Sequence, residues 1–275
     1  MPLLTFSSDF GNNDFLVGAV KGQLLQINPE FSIVDISHSI SPFNYTHAAY
    51  VCRNAIKNFP DHTYHLILVN LFDKNPDQLL LAFHNNQYFL CVDNGLLTMV
   101  LEEKPQMVTG IHLKKEDAKN PIAFAKILGQ VINQLIRGDS ILKIGEPDVS
   151  YIEKKPLHPI ISDTWIEGQI IFIDNFENVI VNITQKQFEE NRKGRKFKIV
   201  FKHDKIIETI SETYADVHEG EKLAIFNSAG YLEIAINKAN AAGLLGLKGY
   251  SEKNIQSKQL VQNQLFYQTV RIRFE

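Results

Sequence analysis

An α/β half followed by an all-β half is the fold class this sequence predicts, and three observations predict it. Over residues 1–152, short apolar runs rich in Val, Ile, Leu and aromatics alternate with amphipathic stretches. From residue 163 onward, period-two and apolar runs separated by short turns take over. Between them, 153–162 carries two prolines and mixed charge (Glu153-Lys-Lys-Pro156-Leu-His-Pro159), the composition of a linker. Strands alternating with helices imply a layered α/β domain with a mainly parallel sheet, and consecutive short strands imply a barrel-like domain.

Taken in order, Leu3–Ser7, Ser32–Ile36, Tyr64–Val69, Leu79–Phe83 and Tyr88–Val92 read as buried strands. Phe15–Ile27 puts Val17, Val20, Leu24 and Ile27 on one helical face and stops at Asn28-Pro29. Tyr45–Asn58 is a second helix, ended by Phe59-Pro60. Pro121–Arg137 is the clearest, with Phe124, Ile127, Leu128, Val131, Ile132, Leu135 and Ile136 along one side. In the second half, Trp165–Ile173, Val179–Thr184, Lys196–Phe201, Lys205–Ile210, Lys222–Phe226 and Tyr231–Ile236 read as strands.

Composition narrows the function classes. The 28 basic and 31 acidic residues nearly cancel, to a net charge of −3, so electrostatic capture of nucleic acid or of an anionic membrane has little support. There is no apolar run of about 18 residues, and the first residues lack the basic start of a signal peptide. Cys52 and Cys91 sit in apolar settings without C-x-x-C spacing, which suits the buried thiols of a cytoplasmic protein. The nine histidines show no metal-ligand spacing, so no metal is expected. Dinucleotide, P-loop, nucleophile-elbow and H-E-x-x-H signatures are missing.

What remains is a set of polar clusters at strand ends, where open α/β sheets hold ligands. Ser7-Ser8-Asp9-Phe10-Gly11 follows the first strand; the Asp9 carboxylate can clamp the cis-diol of a ribose, while Asp14 reads as the N-cap of the next helix. In Asp35-Ile-Ser-His38…Pro42-Phe43-Asn44, Asp35 and His38 read as loop staples, and Phe43 can wall a ligand or fill the core. Asp93-Asn94-Gly95 reads as a structural positive-φ turn. Asp174-Asn-Phe176-Glu-Asn178 and Asn227-Ser228-Ala-Gly230-Tyr231-Leu-Glu233 each lie between two strands, and each alone is a hairpin turn.

Five clusters in this order are far more specific than any one. The chain resembles the family of S-adenosyl-L-methionine (SAM) hydroxide adenosyltransferases, or SAM hydrolases, and the related SAM-dependent fluorinases and chlorinases. The resemblance rests on Ser8-Asp9-Phe10-Gly11…Asp14…Val17-Gly18…Lys21-Gly22, Val34-Asp35…His38…Pro42, Asp93-Asn94-Gly95-Leu96-Leu97, Asp174…Phe176…Asn178 and Ser228…Gly230-Tyr231-Leu232-Glu233-Ile234-Ala235. It implies a homotrimer with SAM as substrate or ligand and no further cofactor, the site lying between the N-terminal domain of one subunit and the C-terminal domain of its neighbour. It further implies that Asp9 holds the ribose hydroxyls beside Phe43, that Asp174 meets the methionine ammonium, and that Phe176 and Asn178 frame the adenine, with Ser228 and Tyr231 completing the pocket.

The departures are equally specific. Where hydrolytic members carry Asp-Pro-Gly-Val-Gly-Thr-x-Arg, this chain has Asn70-Leu-Phe-Asp73-Lys-Asn-Pro-Asp77, so the family's Asp becomes Asn70 and its Arg becomes Asp77. No histidine occurs in Asn120-Pro-Ile-Ala-Phe124, ahead of the long helix. The arginine that some members carry in the hairpin cluster is Ala229. The family reaction is an in-line substitution at C5′ in which methionine leaves as a neutral thioether, so no general acid is required, and positioning is the main demand. Asn70 can orient a water but not deprotonate it. The expectation is weak hydrolysis of SAM to adenosine and methionine, with a non-catalytic SAM or adenosine sensor as the alternative. A halogenase is a further alternative, against which Asp73 and Asp77 would repel an anion.

Overall fold

The computed structural model describes residues 1–201, 205–247 and 268–275. The chain divides into two compact units, Met1–Pro156 and Leu157–Glu275.

In the first unit the elements run β1 (Leu3–Ser8), α1 (Leu16–Ile27), β2 (Ser32–Ser37), α2 (Tyr45–Ile56), β3 (Tyr64–Leu68), β4 (Gln78–His84), β5 (Gln87–Val92), α3 (Leu96–Leu101), β6 (Met107–His112), α4 (Pro121–Ile136), α5 (Ile141–Ile144) and β7 (Glu146–Pro147). They form one seven-stranded sheet in the order β2-β1-β3-β5-β4-β6-β7. The near-continuous apolar strands bury both faces, and the strand period of two sorts their side chains. Leu66 and Leu68, Leu79 and Leu81, and Leu90 and Val92 join α1 and α4 residues in one cluster. Ile67, Leu80, Ala82, Phe89 and Cys91 join α2 and α3 residues in another. The unit is therefore a three-layer sandwich. Gly129 allows α4 to lie close on α1, since a Cβ there would come within 2.7 Å of Ile27 Cδ1.

The sheet is mixed, which corrects the expectation of a mainly parallel one. Pairings β2–β1, β1–β3 and β3–β5 are parallel, whereas β5–β4, β4–β6 and β6–β7 are antiparallel. The reason is local. Asn85 and Asn86 both adopt positive φ (48° and 59°), as a tight β4–β5 hairpin requires, and a parallel connection needs a crossover of about a dozen residues.

One helix start differs from expectation. Helix α1 has Phe15 at its cap position, so Asp14 lies one residue too early; its carboxylate accepts from the Phe15 amide at 2.5 Å. Helix α2 is capped by Asn44, whose side chain accepts from the His47 amide at 3.0 Å.

The second unit contains β8 (Ile160–Ile161), β9 (Trp165–Ile173), β10 (Val179–Thr184), α6 (Gln185–Arg192), β11 (Phe197–Phe201), β12 (Lys205–Ile207), β13 (Lys222–Phe226), β14 (Tyr231–Ile236), α7 (Ala241–Leu244) and β15 (Thr269–Phe274). Its sheet is antiparallel in the order β12-β11-β15-β9-β10-β14-β13, with β8 also on β9. The two ends approach one another: the Ser211 amide, just past β12, donates to Ala224 O of β13 at 2.8 Å. The result is a nearly closed barrel. Inward-facing Ile166, Ile170, Val181, Ile199, Leu232 and Ile272 fill it, and Phe188 of α6 is fully buried against Phe197 and Phe226. Among the described residues, no helix is long and apolar enough to cross a membrane.

Candidate functional site

The parallel strands of the first unit deliver their polar residues to one crest. Strand β1 ends at Ser8 and β3, its neighbour, at Leu68, so Asp9 and Asn70 leave the sheet side by side. The Asn70 amide donates to Asp9 Oδ2 at 2.9 Å. Burial pushes the Asp9 carboxyl up, and this amide bond partly offsets the effect.

Asn70 sits in the left-handed region (φ 52°), which Asn tolerates better than most residues. Its carbonyl accepts from Asn94 Nδ2 at 3.1 Å, and its side-chain Oδ1 accepts from the Phe43 amide at 2.6 Å. That bond braces Phe43, which is itself at φ 59° and 68% exposed, a conformation costly for an aromatic residue. Asn70 Nδ2 is left buried and without a partner among the described residues. Asn94 also donates to Val69 O and accepts from the Leu96 amide, so the Asp93-Asn94-Gly95 turn serves as the clamp on the end of β3.

Beside this crest stands a mixed-charge cluster. The Tyr45 hydroxyl donates to Asp73 Oδ2 at 2.9 Å, and Lys154 Nζ lies 3.8 Å from the same oxygen and 3.2 Å from the centre of the Tyr45 ring. Burial pushes the Tyr45 phenol well above its usual range, helped by its bond to Asp73 and by the charges of Asp73 and Asp9. Burial also lowers the Lys154 ammonium, which Asp73 opposes and Lys74 reinforces. Lys154 reaches this position by lying across Gly95 (φ 88°), where a Cβ would fall 2.5 Å from Lys154 Cγ.

Asp35 and His38 behave as staples. Ser8 Oγ and His38 Nδ1 are 2.7 Å apart, His38 Nε2 is 3.1 Å from Asp35 Oδ1, and Lys21 Nζ donates to Asp35 Oδ2 at 2.5 Å. Ser8 is fully buried, so this Ser-His-Asp line offers no nucleophile to solvent. Asp77, at the position of the family's arginine, is exposed.

In the second unit, Asp174 organises the β9–β10 turn. Its Oδ1 accepts from the amides of Phe176 (2.9 Å) and Asn178 (2.8 Å), and its Oδ2 accepts from Asn178 Nδ2 at 3.1 Å. Phe176 is thereby held 77% exposed. Phe176 and Asn178 line a cavity of about 590 Å³ with Tyr214, Ile236 and the segment Asn237–Asn240. Tyr214 donates to buried Glu233 at 2.6 Å. Burial pushes the Glu233 carboxyl up, reinforced by the Asp174 charge and opposed by bonds from Tyr214, Asn227 and Asn178.

The structure thus brings Asp9, Phe43 and Asn70 together in one unit and Asp174, Phe176 and Asn178 together in the other. Tyr231 is buried and Ser228 exposed on the hairpin turn whose Asn227 side chain caps the amides of Ala229 and Tyr231. Sequence reasoning misses Tyr45, Lys154 and Tyr214 as site-lining groups, and Glu233 as the buried partner of Tyr214. In the sequence Tyr45 marks only a helix start, and Lys154 only charge in a linker. For Glu233, a carboxylate within an otherwise apolar strand is the available signal.

A three-layer α/β unit with a polar crest at its parallel strand ends, followed by an antiparallel barrel with an aromatic-rimmed cavity, defines a two-unit ligand-binding protein. Sequence models of the SAM hydroxide adenosyltransferase N-terminal and C-terminal domains match residues 4–145 and 168–253, and the chain belongs to this family. Among curated relatives, (R)-S-adenosyl-L-methionine hydrolase of Methanocaldococcus jannaschii is 28% identical over 93% of this chain and 96% of its own length. The fluorinase of Nocardia brasiliensis is 24% identical over 90% of this chain and 94% of its own length. The crystal structure of an uncharacterized conserved protein from Thermotoga maritima superposes with a TM-score of 0.78 at 26% identity, covering 98% of this chain and 99% of that one.

Proposed function

We propose that this protein binds SAM and hydrolyses it at C5′ to adenosine and L-methionine. Membership of the family supports the substrate class. The single observation that carries the reading is the Asp9–Asn70 crest: a partly buried carboxylate and an unpartnered buried amide, side by side at a parallel strand end. A carboxylate accepts from two ribose hydroxyls, and Asp9 has used Oδ2 on Asn70. Phe43 is the aromatic wall at the sugar. The cavity behind Phe176 and Asn178 is wide and apolar enough for a purine face, and Asp174 supplies a negative charge for the methionine ammonium. Ser228 and Tyr231 complete the ligand set, and the assembly is a cytoplasmic homotrimer.

A second reading, a SAM or adenosine sensor without turnover, is favoured by Asn70 and Asp77 standing where the hydrolytic set is expected. Incubation of the purified protein with SAM, in water alone and with added chloride or fluoride, separates the readings. Adenosine and methionine in equal amounts support hydrolysis, 5′-halogenated adenosine supports a halogenase, and tight binding without product supports the sensor. Phe176→Ala should weaken adenosine binding in every case. Light scattering that returned a monomer at micromolar concentration would remove the homotrimer.

A further inference from the structure

The missing base has a candidate replacement at the same crest. Asp73 lies three residues beyond Asn70 and is tied to it, its amide donating to Asn70 O at 3.4 Å. The Tyr45 phenol bonds to Asp73 and also feels the charge of Asp9. The Tyr45 and Lys154 contacts to Asp73 both fall on Oδ2, which leaves Oδ1 to take a proton. A cation and a phenol on one oxygen fix the direction of the carboxylate and turn its other oxygen outward. Asn70 Nδ2, buried and unpartnered, is an independent sign that this crest is built to receive an acceptor it does not itself contain.

We propose that Asp73, positioned by Tyr45 and Lys154, is the base that deprotonates the attacking water when SAM is cleaved. The assignment rests on the hydrolytic reading above. The water oxygen bonds to C5′, and the C5′–S bond breaks with its electron pair leaving on sulfur. The water proton passes to Asp73 Oδ1 and then to solvent. SAM and water thus become adenosine, methionine and one proton. Asp73 is the catalytic residue in this step; Tyr45 and Lys154 are positioning residues.

The test compares the full-length protein with Asp73→Asn, Tyr45→Phe and Lys154→Met, measuring SAM affinity by calorimetry and product formation by chromatography from acid to alkaline pH. Tyr45, Lys154, Lys74 and Asp9 are the titratable groups coupled to this cluster, so the profile is read as the difference between wild type and Asp73→Asn. Loss of a base costs about 10²–10⁴-fold, so kcat of Asp73→Asn should fall at least 100-fold while KM and SAM affinity hold. The fall in wild-type rate toward low pH should vanish in that variant, and Tyr45→Phe and Lys154→Met should show smaller losses. Wild type that hydrolyses SAM no faster than Asp73→Asn overturns the base assignment alone. SAM bound without turnover overturns it too and leaves SAM binding standing. Wild type that fails to bind SAM overturns the functional reading itself.

Discussion

The main-chain amide of Asn70 donates to the carboxylate of Asp9 at 2.9 Å, joining the ends of two parallel strands through one side chain. The bond fixes the direction of the Asp9 carboxylate before any ligand arrives, and such pre-organisation lowers the cost of binding. It also gives Asp9 two separable jobs, acceptor for a backbone amide and anion for a ligand.

Two substitutions separate those jobs. Asp9→Asn keeps an oxygen for the Asn70 amide but removes the charge, so stability should hold while affinity for adenosine falls by about 1.5–3 kcal/mol. Asp9→Ala should lose a similar affinity and, in addition, about 1 kcal/mol of stability through the unpaired amide. Calorimetry and thermal melts measure the two effects. Equal adenosine binding by wild type and Asp9→Asn would show that Asp9 is only a turn residue.

Two buried histidines set an acid limit on stability. His65 is fully buried beside Thr5 Oγ1 at 2.8 Å, and His47 accepts from the Ser41 amide at 3.2 Å; burial lowers both to about 4. Because the unfolded imidazole titrates near 6.5, the unfolded chain binds more protons between about 4 and 6.5. Stability should therefore be full above 6.5 and fall by about 1.4 kcal/mol per pH unit for each histidine as pH drops toward 4. The raised carboxyls of Asp9 and Glu233 act in the opposite sense, so the histidine part is isolated by difference. Denaturant midpoints at pH 7 and pH 5 should diverge less in His47→Gln and in His65→Gln than in wild type. If all three proteins show the same pH dependence, burial of these rings is not the cause.

Local pattern made much of the fold legible, and long-range pairing hid the rest. Trp165–Ile173, Val179–Thr184, Lys222–Phe226 and Tyr231–Ile236 are strands as the sequence predicts, because short apolar or alternating runs are bounded there by turn residues. Strand β6 escaped because Thr109-Gly110 interrupts its apolar character, and Gly110 is a weak strand former. Strand β15, with Val270, Ile272 and Phe274 alternating against Arg271 and Arg273, carries a period-two signal in its sequence but is absent from the predicted strands. The same contrast holds at the crest. Asp9, Phe43 and Asn70 were visible as polar or aromatic residues at strand ends. Lys154 was not, since nothing near it in sequence places an ammonium 3.2 Å from a tyrosine ring formed 109 positions earlier. That meeting depends on a glycine without a side chain.

Gly95 holds φ 88° and lies flat beneath the Lys154 stem, with a hypothetical Cβ 2.5 Å from Cγ and 2.8 Å from Cδ. Gly95→Ala should cost about 1 kcal/mol of stability from the left-handed backbone alone. The steric part falls on the Lys154 stem and, at 3.2 Å, on Ile152 Cγ2; rotation of the lysine side chain relieves most of it, so the protein should still fold. What moves with the stem is the ammonium, away from Tyr45 and Asp73. If Lys154 positions Asp73, turnover of SAM by Gly95→Ala should drop to the level of Lys154→Met, with SAM affinity little changed. The double variant should then be no slower than Lys154→Met alone, because both changes remove one interaction. If the losses in kcat instead multiply, Gly95 acts on the Asn94 clamp and Asn70 rather than through Lys154.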